Sequence, residues 1–160
     1  MFRIIKEKGY WGGEKIPDRS MDKKLKKKII ASFNGKHDCS VRSLLLVMPE
    51  LDYEEVRNAF RNCCQWYPYG AVTNNEFNMA LRTLGIFNKF EYVILDDEDS
   101  SDDKTAWDFI EDKDNTYIIL FYGHFTVVND GRIEDFFPVD LTNAMSEKKV
   151  HRYWRLKDQE

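Results

Sequence analysis

The chain has 160 residues and a formal net charge of −4, with 42% hydrophobic and 14% aromatic residues. That is enough for one domain with a real core, and too apolar and aromatic for a disordered segment. The acidic balance argues against a nucleic-acid binder, no apolar run approaches the roughly 20 residues that span a bilayer, and the N-terminus lacks the apolar centre of a signal peptide. Three cysteines, Cys39, Cys63 and Cys64, form no disulfide framework, and two of them are adjacent. A reducing cytoplasm is therefore the expected location.

In chain order, residues 1–20 read as an irregular arm broken by Gly9, Gly12, Gly13 and Pro17. Lys23, Lys24, Lys26, Lys27 and Lys28 then read as the solvated face of a helix whose apolar side carries Leu25, Ile29 and Ile30. These residues, 1–33, form an arm and basic helix ahead of a domain expected over 34–160. A strong helix is predicted from Cys39 to Met48, since Val41, Leu44, Leu45 and Met48 recur at helical spacing and Pro49 closes it. A second is predicted over 52–64 with Asp52 as N-cap. A third starts after Thr73, with Glu76 completing a capping box and Gly85 ending it.

The second half changes character. "FEYVIL" is β-rich, and "DDEDSSDDK" places six acids in eight residues, which reads as a solvated loop without the pattern of a calcium loop. "TAWDFIED" is expected as a short helix. "NTYIILFY" and "HFTVV" are predicted strands, "NDG" a tight turn, "RIEDFF" the returning strand, and "KKVHRYWRL" a last strand. Helices first and an antiparallel sheet second is the α+β pattern.

Chemistry centres on Cys39. A thiol is reactive as a thiolate, which the positive end of a helix favours, and Cys39 sits where the first helix is expected to start. Cys63 and Cys64 lie at a helix end, where the dipole has the opposite sign. A nucleophilic cysteine also needs a base oriented by a third group. His124 opens one strand and Asp135 lies on the next. With a two-residue turn at Asn129-Asp130 the two are directly opposite, and with one at Asp130-Gly131 they are diagonal neighbours on one face. A three-residue loop would separate them. Cys39 taken alone is also read as a small buried residue. His37 is a rival partner for it, and Trp66, Tyr67, Tyr69 and Trp107 are groove candidates or core aromatics. The cysteines lack C-x-x-C spacing, so no metal is expected.

"DCSVRSLLLVMPELDYEEVRNAF", "GAVTNNEFNMALRTLG", "GHFTVVNDGRIEDFF" and the closing "HRYWR" resemble small papain-like cysteine peptidase-type domains of phages and bacteria. They are more distantly similar to peptidases that trim double-glycine leaders. The resemblance implies a papain-like α+β fold, with Cys39 as nucleophile, His124 as general base and Asp135 orienting it. Such enzymes usually carry a glutamine about six residues before the nucleophile, whose amide stabilises the oxyanion. Phe33 stands there, and Asn34 is the nearest amide, placed to act with the Cys39 backbone N–H.

The expected function is thiol-based acyl transfer on a protein or peptide substrate, as peptide or isopeptide hydrolysis, deamidation or transamidation. No cofactor, nucleic acid or membrane is expected to take part. The alternative is a papain-like fold that binds a partner protein, such as a host factor of a phage, without catalysis.

Overall fold

A computed structural model describes residues 39–96, 104–121, 123–134 and 149–158. Among these the chain is α+β, and the elements follow in this order. Helices α1 (Cys39–Val47), α2 (Tyr53–Cys63) and α3 (Asn74–Thr83) come first, then a 3-10 turn (Phe87–Lys89) and strand β1 (Phe90–Ile94). The short helix α4 (Ala106–Ile110) precedes β2 (Thr116–Phe121), β3 (His124–Asn129), β4 (Arg132–Glu134) and β5 (Arg152–Leu156). The arm and basic helix expected over 1–33 lie outside the described residues, as does most of the acidic run.

Local chemistry accounts for the helix limits. Asp52 caps α2 by accepting the Glu55 N–H at 3.0 Å. At α3, Thr73 Oγ accepts from Glu76 N–H at 3.1 Å while Glu76 accepts from Thr73 N–H at 3.0 Å, the reciprocal capping box. The same helix stops at Gly85, whose φ of 75° lets Ile86 N–H return to Leu81 O at 2.9 Å. Only a residue without a Cβ takes that conformation cheaply.

The five strands form one antiparallel sheet in the order β1-β5-β2-β3-β4. The last strand is therefore central rather than at an edge. Alternate residues face opposite sides of a sheet. Ile118, Phe125, Val127 and Trp154 pack under α1, α2 and α3, whereas Ile119, Phe121, Val128 and Ile133 pack with α4. Phe77 of α3 joins the first layer, stacked on Phe125 and edge-on to Trp154, with centroids 4.7 Å away in each case. The Trp154 indole N–H donates to Asn78 Oδ1 at 2.7 Å, so this buried donor is satisfied.

Of the two open registers for the β3–β4 hairpin, the second is observed. Asn129 pairs with Arg132, leaving Asp130 (φ 52°) and Gly131 (φ 76°) as a two-residue turn of left-handed residues. A Cβ at Gly131 would meet Ile110 O at 2.8 Å, so glycine is needed there for space as well as conformation.

Phe77 is fully buried and Met79, two residues on, is 53% exposed. Phe77→Ala should lower unfolding free energy by about 3–5 kcal/mol, and Met79→Ala by less than about 0.5 kcal/mol. Urea denaturation of the two variants checks this. Equal losses would mean that α3 does not pack on the sheet through Phe77.

Candidate active site

Cys39 is the first residue of α1, and every residue after it, Ser40 to Val47, is buried. With Ser40, Arg42 and Ser43 buried along with its apolar residues, the helix lies inside the fold, against β2 and β3. Its N-terminus is thereby pinned against the start of β3. The Cys39 thiol hydrogen-bonds the His124 side chain and the Phe125 backbone N–H, and the Arg42 charge lies close by. Burial pushes the thiol pKa up. The hydrogen bond and charge of His124, with the Phe125 N–H and Arg42, outweigh burial and hold it below the ordinary thiol value.

His124 opens β3 after Gly123, whose φ of 75° turns the chain out of β2. It pairs with Phe121, and the two rings meet edge to face at 6.1 Å. Arg42, one helical turn after Cys39, is buried although arginine usually keeps its head in water. No pattern in the neighbouring residues singles it out, but α1 has no polar face on which an exposed arginine would stand.

The other two cysteines have different surroundings. Cys63 shares a hydrogen bond with Thr83 Oγ at 3.4 Å. Cys64 is buried, and burial with the nearby charges of Glu76 and Cys63 pushes its pKa up to about 12. The structure therefore brings Cys39 and His124 together and keeps Cys63 and Cys64 out of the site. Asp135, Asn34 and His37 lie outside the described residues. Among the groove candidates, Tyr67 is in the core while Trp66 and Tyr69 are exposed. Among the described residues, no group of three His, Cys, Asp or Glu side chains is placed to hold a metal ion, and no helix is long and apolar enough to cross a membrane.

A cavity of about 350 Å3 opens beside Gly123, next in sequence to His124. Val72, Thr73 and Asn74, at the start of α3, and Leu120, near the end of β2, line it. Asp96, His151 and Arg152 complete the wall. His151 Nδ1 lies 3.1 Å from Asp96 Oδ2, and Arg152 pairs with Asp96 Oδ1. Arg152 Nε also donates to the Tyr92 hydroxyl at 3.1 Å. Asp96 was expected in a solvated loop as the first residue of the acidic run. It is exposed and outside the strands, as that reading has it, and it is also the common partner of two basic side chains that follow it by more than fifty residues. The one local sign was a histidine one residue before the strand "RYWRL", much as His124 stands at the start of its own.

Comparison with protein-family models, with curated proteins and with solved structures finds no match.

The two thiols whose surroundings shift them in opposite directions should differ in reactivity. At pH 6, iodoacetamide should label Cys39 at least about tenfold faster than Cys64, because only a thiolate attacks. Site-resolved mass spectrometry measures both rates in one sample. Similar rates would contradict the environments described.

Proposed function

We propose that the chain is a papain-like, thiol-dependent acyl-transfer enzyme acting on amide or isopeptide bonds of proteins or peptides. The observation that carries this reading is the Cys39–His124 hydrogen bond at the N-terminus of a buried helix, with the thiol held below its ordinary pKa.

The chemistry follows from those two side chains. The Cys39 thiolate attacks the carbonyl carbon, and the C=O pair moves onto oxygen to give a tetrahedral oxyanion. Backbone N–H groups of the first turn of α1 have no acceptor within the helix, so they are the natural donors to that oxyanion. The C–N bond then breaks as the His124 imidazolium gives its proton to the departing amine, leaving a thioester on Cys39. Water attacks the thioester while His124 takes its proton, and the acid departs with the thiol restored. An amine in place of water gives transamidation by the same steps. Asp135 is assigned the orienting role and Asn34 the side-chain donor to the oxyanion.

A peptide thioester offers an activated acyl group to any competent thiol. It should acylate Cys39 selectively, and His124→Ala should slow that step by about a hundred- to ten-thousandfold. Intact-mass and peptide-level mass spectrometry follow the adduct. No adduct, or an unchanged rate in His124→Ala, would leave the fold as a binding module.

A further inference from the structure

We infer that the cavity beside Gly123 is a subsite for a carboxamide side chain of the acyl donor, glutamine or asparagine, recognised by His151 and Arg152. The inference rests on the acyl-transfer reading of Cys39 and His124.

Position comes first. Leu120 pairs with Arg152 across β2 and β5, and the His151 backbone N–H donates to Leu120 O at 2.9 Å. These contacts hold the start of β5 beside the end of β2, one residue from the Phe121–His124 pair. The cavity thus lies at the end of the sheet where His124 meets Cys39, and the inference seats a side chain of the bound peptide in it.

The polar groups on its wall have a defined sense. His151 faces the Asp96 carboxylate through Nδ1. A neutral imidazole in that contact carries its proton on Nδ1 and leaves a lone pair on Nε2. Nε2 has no hydrogen-bond partner among the described residues. Arg152 uses Nε on the Tyr92 hydroxyl and Nη1 on Asp96 and the His151 carbonyl. That leaves Nη2 as a donor. In that tautomer the residues lining the cavity supply an acceptor on His151 and a donor on Arg152, the complement of a carboxamide, which offers an N–H and a C=O together.

Other side chains fit less well. A carboxylate would set an oxygen against the Nε2 lone pair and next to the Asp96 charge. An ammonium group would face Arg152. An aliphatic chain would leave both polar groups without partners, a loss that a hydrogen-bonding site punishes more than a missing methylene. The methylenes of glutamine have Leu120 and Val72 to lie against.

Tripeptidyl fluoromethyl ketones test the assignment, with Gln, Glu or Leu placed in turn at each of the three positions before the electrophile. Each rate of Cys39 alkylation is divided by the same protein's rate with iodoacetamide. At one position the Gln probe should react about tenfold faster than the Glu and Leu probes, the worth of one hydrogen bond. In His151→Phe the preference should collapse. A preference absent at every position, or one that survives His151→Phe, overturns the subsite. A second measurement does not need Cys39 at all: N-acetylglutamine methylamide is titrated into Cys39→Ala while the His151 ring is followed by NMR. A saturable shift with this amide and none with the glutamate analogue supports the subsite even if Cys39 proves inert, a result that would overturn the acyl-transfer reading alone. Reactive Cys39 with no such shift overturns the subsite alone.

Discussion

Everything proposed for this protein depends on the burial of α1 along its length. Eight of its nine residues are shielded from water, so the helix is a strut inside the core and not a surface element. A strut of this kind cannot shift by a residue without exposing Leu44, Leu45 and Leu46 or forcing them into neighbours that are already packed. Cys39 stands at its first position. Its thiol is thereby held against the first two residues of β3, the placement that the proposed acyl transfer would require of a nucleophile and its base. The same placement sets the positive end of the helix beside the thiol.

The strand order carries this constraint to one end of the sheet. Because β5 returns between β1 and β2, the ends of β1 and β2 and the starts of β3 and β5 meet at one end of the sheet. The N-terminus of α1 reaches that end through Cys39, and the N-terminus of α3 reaches it through Thr73 and Asn74. Two helix ends, Arg42, Arg152 and two histidines thus gather there, with Asp96 as the acidic partner of His151 and Arg152. In the proposed reaction this distribution would favour negative charge developing on a substrate oxygen near Cys39.

The legible parts of the fold were those written locally. Asp52, Thr73 with Glu76, and Gly85 mark helix limits because caps and left-handed ends are chemistry between residues a few positions apart. That Cys39 starts a helix and His124 starts a strand was legible locally, whereas their pairing was drawn from the resemblance and the order of the residues in the chain. The central place of β5 was not legible, since strand order depends on which faces are covered and no local pattern encodes that. For the same reason the Asp96–His151 contact, between residues 55 positions apart, lay outside reach. Asp96 looked like its acidic neighbours, and only the sheet brings it to β5. The burial of Arg42 has no local sign of its own, because arginine is expected in water. The crowding of Val41, Leu44, Leu45, Leu46 and Val47 around α1 was the available sign that no watery side exists. The parts of the site assigned to Asp135 and Asn34 rest on the resemblance and on the order of residues in the chain.

The central claim is that Cys39 and His124 form one charge-sharing pair, and the most direct measurement is the titration of Cys39 itself. The chemical shift of 13C-labelled Cys39 Cβ, followed against pH in the wild type and in His124→Ala, reports the thiolate without any substrate. The account predicts a midpoint below that of a free thiol in the wild type, moving upward when the imidazole is removed. A midpoint at or above the free-thiol value, or one indifferent to His124, would contradict it.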